Sequence, residues 1–140
     1  MKKLICLCFL VAASFILAGS ARAQVLIIAN PSVKPADVSR SDLKDVFTGG
    51  APNLRDGSHV VPVLLKPGAA SDEFLSAYIG KNDTAFRASW RSLVFSGQGS
   101  MPKSVDSEAA VVEYVAHTPG AIGYIRAATP HEGVKVLAVR

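Results

Sequence analysis

Helical stripes separate the apolar strands of this chain, so its sheet has to be assembled through crossovers. Val25-Leu26-Ile27-Ile28-Ala29 is an unbroken apolar run rich in branched residues, the pattern of a strand buried on both faces. Asn30-Pro31 ends it, and a loop runs on to Pro35. Ser39 then opens a helix. With Asp42 it forms the S-x-x-D version of a capping box, Val38 and Leu43 fit a hydrophobic staple across it, and Leu43, Val46 and Phe47 share one face. Gly49-Gly50 stops that helix and Asp56-Gly57 marks a turn. His59 to Leu65 reads as a second strand, and Pro62, which lacks an N–H, predicts an edge or a strand end there.

Ser71 is the expected N-cap of the next helix, which buries Phe74, Leu75, Tyr78 and Ile79 and ends at Gly80. Asn82 or Asp83 caps a third, with Phe86, Trp90, Leu93 and Val94 as its stripe. Ser96-Gly97-Gln98-Gly99-Ser100 is a flexible connection. A fourth helix spans about 106–117 with Val111, Val112 and Val115 inward, and Thr118-Pro119-Gly120 breaks it. Ala121 to Ile125 and Val134 to Val139 are the last strands. The order β-α-β-α-α-α-β-β predicts an α/β fold: a three-layer sandwich with a mixed, mostly parallel sheet and helices over its faces.

What precedes Val25 has a different character. Lys2 and Lys3 lead into an apolar run from Leu4 to Ala18, and Ala21-Arg22-Ala23 places small residues where a signal peptidase reads. Residues 1–23 are read as a secretory signal peptide, and residues 24–140 as one mature domain in the periplasm or outside the cell. The apolar run is shorter than the roughly 20 residues a spanning helix needs, and no later stretch is long enough, so no membrane span is expected after cleavage. Both cysteines, Cys6 and Cys8, fall inside the signal, so the mature chain has neither a disulfide nor a thiolate metal site and must rely on a packed core. Removing the signal also removes three of the 15 basic residues and none of the 11 acidic ones. No basic run or stripe remains, and nucleic acid is not an expected partner.

Catalytic signatures are missing. His59, His117 and His131 are scattered without metal-ligand spacing, and there is no H-E-x-x-H, G-x-S-x-G or Walker pattern. Asp42, Asp72, Glu73, Asp106 and Glu108 fall at expected helix starts, where they offset the helix dipole. No enzyme activity, cofactor or metal is expected. The segment Lys66-Pro67-Gly68-Ala69-Ala70-Ser71 offers more: a loop from a strand into a helix whose first N–H groups are free, with Lys66 to add charge and Gly68 to permit close backbone approach. The same residues also suit an ordinary strand-to-helix loop, and Asp72 and Glu73 would repel an anion at that end.

The chain resembles the phosphate-type substrate-binding proteins of ABC importers, and within them a short, single-lobe secreted group. The resemblance runs from Val25 to Tyr124. It rests on Asn30-Pro31, Ser39-Arg40-Ser41-Asp42-Leu43 followed by Phe47-Thr48-Gly49, Asp56-Gly57 before Val61-Pro62-Val63, the helix from Ser71 with Phe74, Trp90 with Phe95-Ser96-Gly97, and above all Thr118-Pro119-Gly120-Ala121-Ile122-Gly123-Tyr124. It implies one lobe of a type II periplasmic-binding-protein fold. In that family two α/β lobes close on phosphate, and the lobe resembled here supplies an arginine and an S-G-T loop at a helix N-terminus. The matching stretch, Lys66 to Ser71, has neither, and the tryptophan often found before the Asp-Gly turn is replaced by Leu54. The ligand-binding residues implied are Lys66, Gly68, Ala69, Ala70 and Ser71. No second lobe with its own ligands is found in this sequence, and one open lobe cannot surround a buried oxyanion with hydrogen bonds. The expectation is a secreted, non-enzymatic, solute-binding-like protein without tight phosphate binding. The alternative is an envelope interaction module that has lost its ligand, with an envelope protein or a second copy of itself as partner.

Overall fold

A computed structural model describes residues 25–140; the expected signal peptide lies outside the described residues. Its strands are β1 (Val25–Ala29), β2 (Asp37–Val38), β3 (Val61–Leu65), β4 (Lys103–Val105), β5 (Ala121–Arg126) and β6 (Lys135–Val139). Its helices are α1 (Arg40–Thr48), α2 (Ala69–Phe74), α3 (Asp83–Phe95) and α4 (Glu108–His117), and α2 runs on into a π-helical turn, Leu75–Ile79. The strands form one sheet in the order β2-β6-β1-β5-β3-β4. β1 pairs antiparallel with both β5 and β6, and every other neighbouring pair is parallel.

Alternation along β5 defines the layers. Ile122 and Tyr124 face one side, where the Tyr124 ring meets Phe47 of α1 and Phe74 of α2. Gly123 faces the other side, against α4. A Cβ there would sit 2.8 Å from Val111 Cγ1, so glycine is what lets α4 lie close to the sheet. The result is helices α1–α3, a mixed and mostly parallel sheet, then α4: the expected three-layer α/β sandwich. The core is a single cluster that includes residues of β1, β3, β5, β6 and all four helices.

Local chemistry explains the helix limits. The Ser39 hydroxyl accepts the Asp42 N–H at the start of α1, and Gly49, at φ +80°, turns the chain out of it. The reciprocal half of the capping box is replaced, because the Asp42 carboxylate accepts instead from Arg55 Nε at 3.0 Å. Asn82 caps α3 through the Ala85 N–H, and Ser107 caps α4 through the Ala110 N–H.

Several expectations need correction. Ser71 is not an N-cap: α2 starts two residues earlier, with Gly68 in the cap position and no side-chain cap. Val94 is not in the core. The last turn of α3 runs past the layer it packs on, leaving Val94 43% and Phe95 92% exposed, whereas Phe86 and Trp90 are buried as expected. Tyr78 is only half-buried, its ring covered by the Arg40 guanidinium at 5.2 Å. Asp106 precedes the α4 cap and Glu73 sits beyond the first turn of α2. Pro62, by contrast, lies at a strand end, one of the two places expected for it. The Val61 N–H points to Gly120 on the β5 side, so the missing N–H of Pro62 faces β4, which begins pairing only at Val63.

Candidate functional site

β3, β4 and β5 run parallel, so their carboxyl ends share one edge of the sheet, and each leads into different chemistry. In open α/β sheets this edge is where ligands bind. β3 leads through Lys66-Pro67-Gly68 into α2. β4 leads through Asp106 into the Ser107 cap of α4, and β5 ends at Arg126.

The predicted site residues divide into two groups here. Lys66, Gly68 and Ala69 are exposed, while Ala70 and Ser71 are buried on the core side of α2. The Lys66 N–H donates to Val105 O at 2.9 Å, which fixes the loop to β4. Gly68 is in extended backbone, and a Cβ there would meet nothing within 4 Å, so this position does not require glycine. The first bond within α2 runs from the Asp72 N–H to Gly68 O at 2.9 Å; the N–H groups of Ala69, Ala70 and Ser71 precede it and have no side-chain cap.

Ser71 points away from the loop. Its residue is 2% exposed, and Oγ lies 3.3 Å from the Tyr124 hydroxyl. That hydroxyl also accepts the Leu65 N–H at 3.0 Å. Phe74 stacks on the Tyr124 ring with centroids 3.9 Å apart and planes 4° apart. Burial pushes the Tyr124 phenol up from its ordinary value, against the smaller opposing effects of Ser71 and the Leu65 N–H, so it stays neutral. The cluster is a core hydrogen-bond network joining β3, α2 and β5.

Two arginines at this edge went unnoticed in the sequence. Arg87 of α3 donates through Nη2 to Leu65 O at 3.3 Å, and its Nε donates to both Asp83 carboxylate oxygens at 2.9 and 3.1 Å. The Asp83/Arg87 spacing of four residues was the available signal. Arg126 pairs with Glu108, which also accepts the Arg126 N–H and the Thr129 hydroxyl. Both guanidinium groups are therefore offset by a carboxylate. Among the described residues Lys66 makes no ion pair. The edge thus carries an ammonium group without an ion pair and a helix start without a side-chain cap.

Clefts occur elsewhere. One of about 460 Å³ is lined by Lys34, Asp37, Asp42, Arg55, Asp56 and Arg140. A more apolar one of about 400 Å³ lies at the amino ends of β3 and β4, between Pro62, Trp90, Met101 and Tyr114. Among the described residues no three His, Cys, Asp or Glu side chains gather as a metal site.

Solved structures decide the fold. This chain superposes on a phosphate ABC transporter substrate-binding protein from Clostridium perfringens, solved with bound phosphate, with a TM-score of 0.63 and 18% identity; the match covers 82% of this chain and 44% of that one. The chain has the α/β fold of the part of that protein it covers. PstS from Borrelia burgdorferi matches with a TM-score of 0.57 and 16% identity over 83% of this chain and 47% of its own. An ABC-type phosphate transport receptor from Vibrio cholerae matches with a TM-score of 0.53 and 15% identity over 82% and 45%. This chain therefore spans less than half the length of the substrate-binding proteins it matches. No family model matches the sequence. No curated protein matches it.

Proposed function

We propose that this is an exported, non-enzymatic, solute-binding-like protein that meets small oxyanions such as phosphate weakly, at the loop from Lys66 to Ser71. The fold and the position of that loop at the carboxyl edge of β3 support the reading. The observation that carries its weak character is the inward hydroxyl of Ser71, which is held by Tyr124 and not offered to the loop. Asp72 and Glu73 add negative charge close to the same helix start.

A thermal-shift panel of oxyanions, followed by calorimetry with phosphate, tests the reading. The expected result is binding weaker than a Kd of roughly 10 μM, about −7 kcal/mol, with Lys66→Ala weakening it further. Tight stoichiometric binding would overturn the weak character. If no oxyanion raises the melting temperature, the solute-binding reading fails and the interaction-module alternative replaces it.

Export belongs to the same proposal, since the A-x-A sequence at Ala21-Arg22-Ala23 predicts cleavage before Gln24. Intact mass of the exported protein should give an N-terminus at Gln24. A membrane-bound species that keeps the preceding residues would contradict this.

A further inference from the structure

We draw no further inference here: the strongest candidate, the apolar cleft between Pro62, Trp90, Met101 and Tyr114 at the amino ends of β3 and β4, carries nothing because nothing in the structure shows what covers it.

Discussion

Ser71 and Tyr124 stand 53 positions apart in the sequence, and their hydroxyl contact governs the character of the candidate loop. Tyr124→Phe should keep the stacked ring and lose only the hydroxyl. The Leu65 N–H and the Ser71 hydroxyl would then lack a buried partner, at an expected cost of about 1–3 kcal/mol. Urea unfolding of the two proteins measures it; a loss below about 0.5 kcal/mol would mean these groups find other partners. The sequence shows a loop after β3, but it hides both the earlier start of α2 at Ala69 and the direction of this hydroxyl. A serine just after a loop suits a helix cap in local terms. Its actual partner comes from β5 and is set by the packing of the sheet against α2, which no local pattern reports.

Among the elements, those with enough residues to show a period were legible. β1 was read with its observed limits, and α1, α3, α4, β5 and β6 to within about two residues, an ordinary uncertainty for element ends. β2 and β4 were not foreseen: two and three residues are too few for any periodicity, and pairing with β6 and β3 is what makes them strands. The junction of α4 and β5 was foreseen only as a dipole effect of Glu108. In the fold this carboxylate ties the start of α4 to the end of β5 and to Thr129. Burial alone would raise its pKa; the N–H and guanidinium of Arg126 and the Thr129 hydroxyl outweigh that and hold it below the ordinary 4.5. A lowered folded pKa means that the unfolded chain takes up the proton first. The clamp therefore contributes its full stability above the unfolded value and loses it as pH falls through the folded one. Glu108→Gln should cost roughly 1 kcal/mol near neutrality, discounted for partial exposure, and the gap to the natural protein should narrow as pH falls below the ordinary 4.5. Paired unfolding curves from neutrality down through that value test it, and a gap independent of pH would remove the charge from the account.

At the scale of the molecule, the strand order links the two ends of the described chain. β1, the first strand, lies between β5 and β6, the last two, so the centre of the sheet closes only when the end of the sequence is in place. The sequence order of strands and helices implied crossovers, but it did not reveal that β1 would run against every other strand; that depends on which distant strands flank it. Ile27 and Ile28 of β1 share one core cluster with Leu137 of β6, Ile122 of β5 and Phe47 of α1. Such a core has no internal seam along which half could unfold alone. Protein expressed from Gln24 to Arg140 should therefore unfold in a single transition, with an m value of about 1–3 kcal/mol/M in urea. Trp90, the one tryptophan of the chain, reports the layer of α1 and α3, where its Nε1 donates to Phe47 O at 2.9 Å. Far-UV circular dichroism reports all elements together. The two probes should give coincident curves. Ending the chain at Arg126 should abolish the transition in both, because β1 loses its β6 neighbour and the backbone groups facing it lose their partners. Separate midpoints for fluorescence and dichroism, or a cooperative transition in the shortened chain, would show that β6 is an appendage and that the lobe folds around β1, β5 and β3 alone.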